Sequence, residues 1–114
     1  MSTVSKHHPL NHYQWGKHCD AWVFVDNDLL SVKQEYMPAE TEETLHYHNH
    51  AQQFFYLLKG VAKFEVDNTI NIVQAGEGIY IKPGSIHRIM NTSNEAIEFI
   101  VCSQPSTTYD RYNA

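Results

Sequence analysis

Apolar and polar residues alternate with a period of two along much of this chain. Over Val61–Val66 the apolar Ala62, Phe64 and Val66 interleave with Lys63 and Glu65, as in a strand with one face turned inward. Gln53, Phe55 and Leu57 fall on one face of the segment Gln53–Leu58, and Phe54, Tyr56 and Leu58 on the other. Further strands are predicted at Trp22–Val25, Leu30–Met37, Thr44–His50, Ile70–Val73, Gly78–Ile81, His87–Met90 and Ala96–Cys102. Turn and breaker residues separate them: Asp26-Asn27-Asp28, Pro38, Lys59-Gly60, Asp67-Asn68 and Pro83-Gly84. Helical periodicity is nowhere sustained. The pattern predicts an all-β sandwich or barrel of eight or more short strands.

A chain of 114 residues suits one domain. The first 19 residues are mostly polar and are expected to form an N-terminal arm, in which Tyr13 and Trp15 need something to pack against. Residues 20–104 carry the strands, and 105–114 read as a polar tail. The net charge is −5, and no run of Lys or Arg exists, which argues against nucleic acid and anionic membrane as partners. No apolar stretch approaches the ~20 residues of a membrane helix, and the N-terminus lacks an apolar signal core, so a cytoplasmic location is expected. Cys19 and Cys102 form no CxxC pair and are expected as free thiols in a reducing compartment.

Eight histidines in so short a chain are the chemical anomaly. Four lie in the arm, where a solvated role is the simpler reading. His46 and His48 are two apart, so a strand places both rings on one face. His87 follows the Pro83-Gly84 turn. Neutral imidazoles suit zinc, iron, nickel, manganese or copper.

The spacing His46-x-His48, four residues, Gln53, six residues, Gly60 resembles the first motif of the cupins. Gly76, six residues, Pro83-Gly84-x-x-His87-x-x-x-Asn91 resembles the second. The resemblance spans about Leu30 to Gln104. It implies a double-stranded β-helix, the cupin jelly-roll barrel, with one divalent transition-metal ion (Zn, Fe, Mn or Ni) inside near one mouth. It also implies His46, His48 and His87 as ligands, Gln53 in the place usually held by Glu, and Asn91 as a structural residue. An alternative register, His48-x-His50, is disfavoured by the count to Gly60. Gln53 is the chief departure. Its amide cancels no charge, so three imidazoles and an amide leave a site of formal charge +2 that should favour anions. Gln among the ligand types is also similar to the phosphomannose isomerases of this superfamily. Lys82, where many cupins have Pro, reads as a solvated rim residue.

With Gln53 inert as a base, a carboxylate must come from elsewhere. Glu42 shares parity with His46 and His48 if the strand runs back that far. Glu35 is the other candidate, and parity alone does not say which way it points. Tyr36, Tyr47, Tyr56 and Tyr80 read as sheet-surface or pocket-edge residues, Arg88 as pointing away from His87, and Arg111 as part of a free tail, with folding over a mouth to grip an anion as the alternative. The family hosts many chemistries, so three readings stand. The first is a metalloenzyme of isomerase, lyase or dioxygenase type acting on a small anionic or sugar-like metabolite. The second is a non-catalytic metal-dependent binding or sensing module. The third is an oligomeric accessory barrel. A carboxylate near the metal would favour the first. The surplus of large apolar residues, with Phe54, Tyr56 and Leu58 opposite Phe55 and Leu57, predicts a homodimer.

Overall fold

A computed structural model describes residues 3–114. Met1 and Ser2 of the expected arm lie outside the described residues. The described residues form strands and no helix: β1 (Asn11–Trp15), β2 (Cys19–Asp26), β3 (Ser31–Met37), β4 (Thr41–Glu42), β5 (His46–Tyr47), β6 (Gln52–Lys59), β7 (Val61–Val66), β8 (Thr69–Gln74), β9 (Gly78–Ile81), β10 (His87–Asn91), β11 (Ile97–Gln104) and β12 (Tyr112–Asn113). One sheet runs in the order β1-β2-β3-β11-β6-β9, the other β12-β5-β10-β7-β8, with β4 also on β10. Every pairing is antiparallel. This is the all-β class that the alternation predicts, in the double-sheet barrel form that the cupin resemblance implies.

The inward rows change character along their length, and that change places the site. On β3 the inward row is Met37, Glu35, Lys33, Ser31; on β6 it is Leu57, Phe55, Gln53; on β11 it is Ile97, Phe99, Val101, Ser103. The register aligns the apolar ends (Ile97 with Met37, Phe99 with Leu57) and the polar ends (Ser103 with Ser31 and Gln53). One half of the barrel is therefore an apolar core, in which Phe55 meets Phe64 edge-on at 5.0 Å and Phe99 at 5.7 Å. Each such ring contributes about 1.5–3 kcal/mol through burial. The other half is polar and opens to solvent.

Three stretches depart from expectation. Within the polar arm, Asn11–Trp15 pairs along its whole length with β2, from Asn11 opposite Val23 to Trp15 opposite Cys19. It is an edge strand with four exposed residues, and Tyr13 and Trp15 alone mark its inward side, too short an alternation to read as a strand within a polar arm. The expected strand Thr44–His50 is reduced to His46–Tyr47, with Glu43–Leu45 breaking it from β4. The tail returns as β12, which pairs with β5.

Asn91 closes the apolar end. Its two Nδ2 protons are shared among the carbonyls of Met37 (3.1 Å), Pro38 (3.0 Å) and Glu95 (2.8 Å), and its Oδ1 accepts from Ser93 N (3.1 Å) and Oγ (2.7 Å). Asn91→Asp would turn an acceptor toward three carbonyls in a buried site. We expect it to cost more than about 3 kcal/mol of stability. A urea midpoint equal to wild type would show that this hub does not hold the barrel end. Gly60, between β6 and β7, sits at φ +87°, and a Cβ there would lie 2.8 Å from Ile97 Cγ2. Glycine is needed on both counts.

Candidate metal centre

His46 on β5 and His87 on β10 are direct partners across the sheet. His48 follows two residues after His46, on the same face. Their ligand atoms all lie within 4.8 Å of one another, and all three side chains are buried. Each Nδ1 faces a backbone carbonyl: His46 that of Thr44 at 2.7 Å, His48 that of Asp110 at 2.6 Å, and His87 that of Ser85 at 2.8 Å. A ring nitrogen beside a carbonyl donates, so the proton belongs on Nδ1 and the Nε2 lone pairs are free. His48 Nε2 is buried without a hydrogen-bond partner. His87 Nε2 lies 3.1 Å from Gln53 Oε1, while Gln53 Nε2 donates to Ser103 Oγ at 3.0 Å. Two acceptors thus face each other, which a cation between them would resolve. Turning the amide over would give His87 a donor but leave His48 Nε2 unpartnered. Three nitrogens and an amide oxygen suit a divalent transition ion, so the residues present fit the group that the motif implies.

Burial pushes His46 and His87 down to about 4, against the opposing hydrogen bonds to Thr44 and Ser85. Both rings are neutral at pH 7, the form that ligates. His50 is exposed and lies outside the cluster.

A cavity of about 250 Å³ opens beside His46 and His48, with Lys33, Glu35, Glu43 and Arg111 in its wall and Tyr13 and Trp15 at its side. The two arm aromatics thus find their packing partner here. Glu35 points inward because its cross-strand neighbours Ala21 and Phe99 do. Burial raises its pKa to about 7, helped by Glu43 and opposed by Lys33; the Trp15 indole is close enough to lower it without completing a hydrogen bond. Glu43 is also raised by burial, with Arg111 opposing at 3.6 Å.

Glu42 does not belong to this site. It is exposed on the outer face and pairs with Arg88 Nη1 at 3.1 Å, while Arg88 Nε holds Glu65 at 2.9 Å. The expected parity with His46 fails because the chain breaks between β4 and β5. Glu43, one residue on, takes the inward place. Lys33 and Asp110 also escaped the sequence reading; for Lys33 the signal was its parity with Met37. Tyr36, Tyr47, Tyr56 and Tyr80 stay out of the cavity wall. Cys19 and Cys102 are free.

The family model described as "Cupin domain" matches residues 32–103, and the chain belongs to that family. An uncharacterized protein of Methanocaldococcus jannaschii is 29% identical over 80 residues, 70% of this chain and 64% of that protein. A mannose-1-phosphate guanylyltransferase of Sinorhizobium fredii is 25% identical over 93 residues, 82% of this chain. The chain spans only 64% and 18% of the lengths of these two curated relatives. Among solved structures, an RmlC-like cupin from Shewanella frigidimarina superposes with a TM-score of 0.82 at 17% identity, covering 93% of this chain and 92% of that one. That likeness concerns the fold.

Proposed function

We propose that the protein is a metalloenzyme that binds one divalent transition-metal ion on His46, His48 and His87, with Gln53 beside them, and acts on a small anionic or sugar-like metabolite. The observation that carries the catalytic part is the placement of Glu35 and Glu43 in the same cavity wall as His46, His48 and Gln53. A half-buried carboxylate raised toward neutrality beside these histidines suits proton-transfer chemistry of isomerase or lyase type. A bound divalent ion supplies Lewis acidity toward a substrate oxygen. Glu35 accepts a proton from the adjacent carbon or hydroxyl and returns it. Lys33 and Arg111 offer positive charge to a carboxylate or phosphate on the substrate. The kinship with a sugar-nucleotide enzyme supports a sugar-like substrate without naming it.

The test is elemental analysis of protein purified without tag or added metal, followed by turnover assays on a panel of sugar phosphates and sugar acids. Stoichiometric metal with turnover of at least one anionic member is expected. Metal without any turnover would favour the binding-module reading. Gln53→Glu should bring a carboxylate to the ion, tighten metal binding and weaken anion affinity, by about tenfold if one unit of charge adds about 1.4 kcal/mol. Calorimetric titration with phosphate or a sugar acid checks this. Unchanged anion affinity would mean that Lys33 and Arg111 dominate, or that Gln53 lies apart from the ion.

A homodimer completes the proposal. Phe54, Tyr56 and Leu58 are 40–44% exposed on the outer face of β6, with Tyr80 beside them at 56%. Such a row is a candidate contact between copies. The double variant Phe54→Lys, Tyr56→Lys should be a monomer that keeps its metal. Light scattering showing wild-type monomer at micromolar concentration would reject the dimer.

A further inference from the structure

The C-terminal residues 105–114 do more than trail from the barrel. Ser106 N donates to Asp28 O at 3.0 Å, anchoring one end. The other end zips along the ligand strand, with Tyr112 opposite Tyr47, Asn113 opposite His46, and Ala114 N donating to Leu45 O at 3.0 Å. Tyr112 stacks on Tyr47 at 5.4 Å. Between these anchors sits Asp110, 6% exposed. Its carboxylate accepts three successive backbone N–H groups of the loop after His48: Asn49 at 2.8 Å, His50 at 3.0 Å and Ala51 at 3.0 Å. Its own carbonyl accepts the His48 Nδ1 proton at 2.6 Å. One residue therefore sets both the path of the loop that leaves His48 and the rotation and tautomer of its ring. The other two histidines take their carbonyl from two residues before them in the chain, Thr44 and Ser85. His48 alone depends on a segment 62 residues away.

We propose that Asp110 is a positioning residue of the metal centre, through which the C-terminal strap orients His48 and keeps its Nε2 aimed at the ion. The inference rests on the reading of His46, His48 and His87 as ligands. Outer groups that fix a ligating imidazole contribute to affinity without touching metal. Asp110→Ala keeps the backbone carbonyl that faces His48 but removes the three-pronged cap that fixes its position, so the strap loosens and the His48 ring can turn. Metal affinity should fall about 10–100-fold. Coupling is reciprocal, so metal should in turn hold the strap.

The experiment is a cobalt(II) titration, followed by the visible absorption of the bound ion, on the full chain as wild type, Asp110→Ala, His87→Ala and Tyr109→Ala. Tyr109, fully exposed, is the neighbouring control. Stoichiometric uptake by wild type and Tyr109→Ala, none by His87→Ala, and weakened uptake with an altered spectrum in Asp110→Ala is the expected result. Nitrogen chemical shifts should show His48 protonated at Nδ1 in wild type and as mixed tautomers in Asp110→Ala. A merely structural role would lower the melting temperature and move neither spectrum. No cobalt uptake by wild type would overturn the ligand reading itself. Uptake by wild type with undiminished affinity in Asp110→Ala overturns the positioning role alone. Should Asp110→Ala fail to fold, wild type still decides the matter. Zinc should slow hydrogen exchange at the Ala51, Asp110 and Ala114 amides, and unchanged exchange there overturns the proposal.

Discussion

Replacing His87 by alanine is expected to abolish stoichiometric binding of a divalent ion. The same holds for His46→Ala and His48→Ala, whereas His50→Ala should bind as wild type does. Losing a ligand outright should cost more than the ~10–100-fold that losing an outer hydrogen bond costs. Calorimetric titration with zinc of each variant, with circular dichroism to confirm the fold, is the check. Retention of metal by His87→Ala would mean that the imidazole cluster is a packing feature. The acid limb carries a second signature. Burial lowers His46 and His87 to about 4, below the 6.5 of a free imidazole. Between those values the unfolded chain binds more protons than the folded one. Stability of the metal-free protein should therefore fall as pH drops from 6.5 to 4, by at most about 1.4 kcal/mol per pH unit for each ring. Metal-loaded protein should resist until protons displace the ion.

Glu35→Gln should cut turnover by about 10²–10⁴-fold while leaving metal content unchanged, as expected for loss of a general base. In the metal-free protein the same change should stabilise. Burial raises Glu35 from 4.5 to about 7, so the folded state binds more protons in that window and loses stability as pH rises through it. Glutamine carries no such penalty. Above pH 7 the variant should gain stability, by less than about 3 kcal/mol because Glu35 is only partly shielded from water. Urea unfolding at pH 5 and pH 8 measures it. A gain at pH 5 equal to that at pH 8 would place the effect outside the ionisation of Glu35. Turnover that survives the substitution would shift the base to Glu43.

The alternation in β6, β7 and β11 was legible because the pleat turns a period of two directly into inside and outside. Gln53, Phe55 and Leu57 point inward and Phe54, Tyr56 and Leu58 outward, as their order predicts. Glu35 was undecidable for a related reason. The inward row of β3 holds Met37, Glu35, Lys33 and Ser31, so the polar site interrupts the apolar alternation that would have revealed it. Glu42 misled because parity is valid only within one unbroken strand, and Glu43–Leu45 is not strand.

By itself, then, the order of residues determined the all-β class and the inward rows of β6, β7 and β11, and, through the cupin resemblance, the grouping of His46, His48 and His87 that the structure brings together. The strands and rows follow from local spacing, in which a side chain's direction depends on the few residues beside it, while His87 joins His46 and His48 in the reading only through the resemblance of the two motifs. Only the tertiary structure decided that Asn11–Trp15 joins a sheet, that Glu43 replaces Glu42, and that Asp110 reaches back to His48. Those outcomes depend on long-range pairing. A short edge strand with only Tyr13 and Trp15 on its inward side gives too little alternation to read. A tail is polar whether it floats or caps a loop, because the carboxylate that would be solvated in the first case is hydrogen-bonded to buried amides in the second.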